Sequence, residues 1–316
     1  MDLNPPLSLP LPLRVLPVDR FVALYNAIFA GFWIASATRA PYAPWLAFAH
    51  VVAAMLPGLL RRAPDDLSPP VRLLRELYPL IWLGAFWPEL DLLHQLHIPP
   101  TFDHQIAALD LALFGVHGTH VDLVWMWRMP YRWLSEPMHF AYWAYYLLIG
   151  IPPLAFAALG RTAALRDVVF RMMLTYLTCF VIFIVYPVYG PGLTLPRYSG
   201  PLTDGLFYRL VGASLGAGDS PGCAFPSSHV AGAITIAFAA ARWTPRWIGA
   251  LLWAEAIGVL VSTVYTQNHF PIDALAGLAW GLLLQMAVAP PLVRWLERRP
   301  SVPAPVLPRF AFVEDR

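Results

Sequence analysis

Cys223-Ala224-Phe225-Pro226-Ser227-Ser228-His229, followed further on by Ser262-Thr263, His269 and Asp273, decides how this chain folds. His229 and His269 stand 40 residues apart. Two membrane-length helices of about 20 residues each would carry the chain ~30 Å across a bilayer and ~30 Å back. Both histidines then return to one membrane face. Asp273 follows His269 by one helical turn, so a carboxylate can hold the imidazole. Two histidines and a carboxylate at one membrane face outline a phosphoryl-transfer site.

Composition agrees with a membrane setting. The 316 residues are 58% hydrophobic and 13% charged, with a mean hydropathy of +0.57, well outside the soluble range. The net charge of +2 is small and the basic residues are scattered, which argues against a nucleic-acid partner. All 21 basic residues are arginine. The two cysteines, Cys179 in an apolar run and Cys223 in a loop, suggest neither a disulfide framework nor a thiolate metal cluster. Residues 1–20 lack a basic n-region and a cleavage site, so the first membrane helix is expected to target the chain.

Apolar windows predict an all-α polytopic bundle of about eight spans, at 21–38, 42–60, 73–90, 138–159, 168–188, 228–242, 247–266 and 272–292. The third is the weakest, because Arg72, Arg75 and Glu76 crowd its start and Pro79 and Pro88 interrupt it. With eight spans both termini share a side, which collects 16 arginines, while Arg39, Arg128, Arg132, Arg197 and Arg209 fall on the other. The positive-inside rule makes the termini cytoplasmic and puts His229 and His269 outside. The whole chain, 1–316, reads as one integral cell-membrane domain with its catalytic core at about 138–292.

Two long connections lie on the outer side. Residues 91–137 carry an expected interfacial helix, Phe102 to Phe114, and the aromatic group Trp125, Trp127, Tyr131 and Trp133. Residues 189–222 hold eight glycines and four prolines, the composition of an irregular loop that serves as a lid or as a plain connector.

Phosphoryl transfer through histidine needs a nucleophilic nitrogen, an acid for the departing oxygen, and positive charge or N–H donors around the phosphate. His269 with Asp273 supplies the first and His229 the second. Ser227 and Ser228 stand at a helix start, where they cap the helix and where free backbone N–H groups can meet an anion.

These residues resemble the signatures of the type 2 phosphatidic acid phosphatase superfamily. Pro226-Ser227-Ser228-His229 is similar to its second signature, usually Pro-Ser-Gly-His. Ser262, Thr263, His269 and Asp273 are similar to its third, usually Ser-Arg, five residues, His, three residues, Asp. The resemblance implies a six-helix phosphatase-like core and a metal-independent site without a cofactor. In that site His269 forms a phosphohistidine, Asp273 orients it, and His229 is the general acid.

Two departures matter. The first signature requires a lysine, and this chain has none; the arginine of the third is replaced by Thr263. The Cys-Ala-Phe-Pro-Ser-x-His form of Cys223–His229 resembles the branch of inositol phosphorylceramide synthases, as do Tyr186-Pro187 and the Tyr142–Pro152 stretch. The missing phosphate cations must come from outer-face arginines, with Arg197 the first choice ahead of Arg209, Arg128 and Arg132. Ser262 joins Ser227, Ser228 and Arg197 as a candidate substrate contact.

Other polar residues have ordinary readings beside functional ones. Glu255, mid-span, is either functional or a hydrogen-bonded packing group. His94, His97 and His104 with Asp91 and Asp103 do not share a helix phase, which disfavours a metal site. His139 with Glu136 begins a span on the outer side and is a better neighbour of the site. The expected partners are a lipid phosphate or phospholipid substrate and the bilayer. Hydrolysis and transfer to an alcohol both fit. A non-enzymatic lipid or solute transporter is the rival class, although the chain lacks the paired broken spans of such folds; a vanadium haloperoxidase would need the absent lysine.

Overall fold

The computed structural model describes residues 15–60, 68–97, 101–115 and 131–297. Arg128, Trp125 and Trp127 lie outside these residues. The architecture is all-α, and the ten principal helices are α1 (Pro17–Ala35), α2 (Ala43–Ala54), α3 (Pro69–His97), α4 (Asp103–Phe114), α5 (Arg132–Ala158), α6 (Thr162–Val185), α7 (Leu206–Gly218), α8 (Ser228–Ala240), α9 (Arg246–Tyr265) and α10 (Pro271–Leu283). A short turn, Leu56–Leu60, prolongs α2, and α10 continues through a π-turn, Leu284–Val288, into Ala289–Glu297.

Eight helices stand where eight spans were expected, and six of the segments are long and apolar enough to cross a bilayer. The two that fall short do so for different reasons. Helix α3 is unbroken through Pro79 and Pro88, but it carries charged groups that must find partners inside the protein. It finds them: Arg75 Nη2 donates to Asp19 Oδ2, and Arg166 makes a two-pronged pair with Glu76. Glu89 accepts from Trp33 Nε1 and lies 2.5 Å from His50 Nε2.

Helix α8 falls short in length. Thirteen residues rise ~20 Å, about two thirds of a ~30 Å hydrocarbon core. It tightens into a 3-10 turn, Ala241–Trp243, and that turn ends where Pro245 holds Thr244 in extended backbone, φ −122° and ψ 159°. The assumption of two full 20-residue helices therefore needs correction for α8. His229 stands at the start of a short helix that sits in the middle of the bundle, against α5, α6, α9 and α10.

Small residues permit that central position. Val230, Ala231, Ala233, Ile236, Ala237, Ala239 and Ala240 are wholly buried, and such residues let helix backbones approach in a bilayer. One polar layer crosses this core: Gln285, on the π-turn, donates to Thr175 Oγ1 at 3.1 Å and Thr235 Oγ1 at 3.0 Å, and accepts from Arg171 at 3.0 Å.

Candidate active site

The two signature turns are bound to one another before any substrate is considered. Ser227 N–H donates to the Asp273 carbonyl at 3.0 Å. Its hydroxyl caps α8, accepting from Val230 N–H at 3.4 Å. Gly277, one turn along α10, allows this approach: a Cβ there would lie 2.4 Å from the Ser227 carbonyl oxygen.

Asp273 is fixed by the start of its own helix. Phe270 is extended, Pro271 occupies the first helical turn, and Asp273 Oδ2 accepts the Phe270 N–H at 2.8 Å. The same oxygen is 3.6 Å from His269 Nδ1, an ion-pair distance longer than a hydrogen bond. His269 Nδ1 and Asp273 Oδ1 are buried with no hydrogen-bond partner among the described residues. Catalytic contacts of this kind are commonly long in an unliganded site.

His229 faces His269 with ring centroids 5.8 Å apart at 62°. Its ring lies on Tyr142, 5.0 Å away and nearly parallel, and beside Tyr145 at 4.5 Å. Tyr142 Oη is 3.3 Å from His229 Nε2.

Both histidines line a cavity open to solvent together with Arg197, Asn268, Trp87 and Asp219. Arg197 is tightly held. Its Nε donates to Gly192 O at 3.1 Å, Nη1 to Thr266 O and Asn268 Oδ1 at 3.0 Å, and Nη2 to Asn268 Oδ1 at 3.0 Å. A guanidinium has five N–H donors, so one Nη2 donor stays uncommitted among the described residues. Burial lowers the Arg197 pKa from its ordinary value, while the side chain remains a cation. Burial also raises the Asp219 carboxyl, against the opposing pull of His269 and Arg197.

The expected residues are not all placed alike. His229, His269 and Arg197 share the cavity wall, with Asp273 directly behind His269. Ser227 and Ser228 are buried at the α8 start. Ser262 is buried within α9, its hydroxyl donating to Val259 O at 3.3 Å, and does not line the cavity. Arg209 is turned to carbonyls of its own helix start, Asp204 and Gly205. Glu136 accepts from Phe207 N–H at 3.2 Å, so with His139 it holds α7 instead of lining the cavity.

His94 lies between two carbonyls, Pro221 O at 2.7 Å and Phe183 O at 3.0 Å, and Asp103 accepts from Tyr189 and Gly190 N–H. Among the described residues no group of three ligating side chains could hold a metal. Residues 189–222, expected to be irregular, contain the 13-residue helix α7 and are anchored by Asp103, Arg197 and Gln267.

Sequence reading missed Tyr142 as a partner of His229, and it missed Asn268 and Asp219. Asn268 and Asp219 lie within ten residues of a signature histidine, and that proximity was the available signal.

A family profile described as the PAP2 superfamily matches residues 104–287. The chain belongs to the PAP2 superfamily. That span runs from the second residue of α4 through α10 and contains every cavity-lining residue named above except Trp87, while α1 to α3 lie before it. Over 59 residues the chain is 39% identical to the putative undecaprenyl-diphosphatase YbjG of Escherichia coli strain K12. This match covers 19% of the chain and 30% of that relative, so it spans less than a third of the relative's length. No solved structure matches the chain.

Proposed function

We propose that this PAP2 protein is a membrane lipid phosphatase or phosphotransferase working through a phosphohistidine at His269. The observation that carries the reading is the facing pair His229 and His269 across one cavity, with a carboxylate behind the second and a cation beside both.

In the first half-reaction, Asp273 holds the Nδ1–H of His269, so the lone pair of Nε2 is available to phosphorus. Nε2 forms a bond to phosphorus as the phosphorus–oxygen bond of the leaving group breaks. His229 gives its proton to the departing oxygen. The uncommitted Nη2 donor of Arg197 and the backbone N–H groups at the α8 start stabilise charge on the phosphoryl oxygens. In the second half, water yields phosphate and an alcohol yields a transfer product.

The relative's name favours a polyprenyl diphosphate and hydrolysis, whereas Cys223–His229, in its resemblance to inositol phosphorylceramide synthases, favours transfer of a phospholipid headgroup. The arginine asymmetry supports an extracytoplasmic site with cytoplasmic termini. Cys179 and Cys223 are both buried, so an added Ser199→Cys, in the exposed loop, gives a clean topological label. Reaction with an impermeant thiol reagent from outside intact cells is expected; reaction only after permeabilisation would reverse the orientation.

The activity test compares wild type with His269→Ala, purified in detergent, on phosphatidic acid, a polyprenyl diphosphate and phosphatidylinositol. Wild type is expected to turn over at least one of them and His269→Ala none. Turnover that survives in the variant would refute the phosphohistidine.

A further inference from the structure

The cavity contains a group that this mechanism does not use. Asp219 is a carboxylate in a pocket proposed to receive phosphate, where an anion repels the substrate unless it has a separate task. Its position is fixed by the surrounding fold. Asp219 N–H donates to Leu215 O at 2.8 Å at the end of α7, and its Oδ1 accepts Ser220 N–H at 2.9 Å. Ser220 Oγ donates to Trp87 O at 2.9 Å, and Trp87 Nε1 donates to Gly218 O. Helices α3 and α7 therefore hold this carboxylate on the wall it shares with His229, His269 and Arg197. Among the described residues, none donates a hydrogen bond to its second oxygen.

We propose that Asp219 selects the acceptor of the second half-reaction, favouring a molecule that offers a second hydroxyl hydrogen. This rests on the phosphohistidine reading above. In that half-reaction the acceptor oxygen forms a bond to phosphorus, and the phosphorus–nitrogen bond breaks with its electron pair returning to His269 Nε2. The acceptor's proton passes to His229, which gave its own to the first leaving group. A monohydric alcohol has then no hydrogen left for Asp219. Water has one, and so does a vicinal diol through its neighbouring hydroxyl. The Asp219 Oδ2 lone pairs accept it, a charge-assisted bond that also separates the carboxylate from the phosphoryl oxygens.

The test uses the full chain in detergent with the donor turned over fastest among the three lipids above. Phosphoenzyme is measured by alkaline quench, and transfer to 1,2-propanediol is compared with transfer to 1-propanol at equal concentration. Wild type is expected to favour the diol, and Asp219→Ala to reduce that preference roughly tenfold, the scale of one hydrogen bond to a charged group. With water as the only acceptor, phosphoenzyme accumulates in Asp219→Ala relative to wild type. Asp219→Asn, which still accepts from Ser220 N–H, lies between them.

Should the protein yield no transfer product with either alcohol, the water arm decides, and unchanged phosphoenzyme turnover there overturns the proposal. A general loss of activity with an unchanged diol preference also overturns it. Full activity in His269→Ala with no phosphoenzyme refutes the mechanism beneath it, a result distinct from phosphoenzyme that forms normally and ignores residue 219.

Discussion

Helices α1 to α3 and the cavity at the ends of α8 and α10 both gather ionisable groups, and they dispose of them in opposite ways. In the first region the buried carboxylates are each directed at a partner: Asp19 at Arg75 and Tyr78, Glu76 at Arg166, Glu89 at His50 and Trp33. In the second, His229, His269, Arg197 and Asp219 surround a common space. The contrast teaches that a charge in a membrane helix is informative only with its direction. Paired charges hold α1 to α3 against the core; charges that converge on a cavity are available for chemistry.

Substitutions can break this contrast from either side. The largest effect is expected at the cavity, where His229→Gln should lower kcat by roughly 10²–10⁴-fold. Its thermal midpoint should stay near wild type, and a large loss of stability instead would make His229 a structural residue.

Arg75→Met tests the other region. It leaves Asp19 buried without its counter-charge, for which removal of one partner costs about 3–5 kcal/mol. Denaturation in detergent should report that loss, and kcat per folded molecule should stay within about twofold. A selective fall in kcat would show that α1 to α3 take part in the chemistry.

Gly192→Ala is a gentler probe of the cavity. The added Cβ would stand 2.3 Å from Arg197 Nη2, so the guanidinium must turn away from the donor position proposed for phosphate. KM is expected to rise about tenfold, the value of one charged hydrogen bond, and Arg197→Met should match it. An unchanged KM in both would remove Arg197 from the site.

The smallest effect concerns Asp110 on α4, whose Oδ1 accepts the Ile272 N–H at 3.1 Å beside Asp273. Burial, ahead of the opposing backbone hydrogen bond and the nearby Asp273 charge, raises its carboxyl to about 6 from 3.8. The folded state therefore binds the proton more tightly than the unfolded chain, so stability falls as pH rises from about 4 to about 6. Asp110→Asn should remove that component from the thermal midpoint measured across pH. A midpoint that keeps the wild-type pH slope would assign the titration to another group.

Much of this was legible in the sequence because it follows from spacing. Eight helices fall at their expected positions, and His269 and Asp273 bring a ring nitrogen and a carboxylate oxygen to 3.6 Å, although His269 precedes α10 and extended Phe270 stands between them in place of the expected helical turn. Arg197 was put first among the outer arginines because it directly follows the Gly190–Pro196 stretch, and it lines the cavity. What spacing could not reveal is direction. Ser262 matches a signature position, yet its hydroxyl turns back on α9. Glu136 and His139 start a span on the site side, yet they hold α7. The helical residues Leu206–Gly218 were hidden by glycines that composition reads as loop, because docking on α5 outweighs their weak intrinsic helicity. Asp219 gave no motif at all, since its place depends on α3 and α7 meeting.

The central claim is that His269 carries the phosphoryl group between donor and acceptor. Rapid acid-free quench of the wild-type protein during turnover, followed by peptide mass spectrometry, tests it most directly. The account predicts an acid-labile, base-stable phosphoryl group on His269, formed also in Asp219→Ala and absent from His269→Ala. Turnover without any phosphorylated histidine, or with the group on His229 instead, would contradict it.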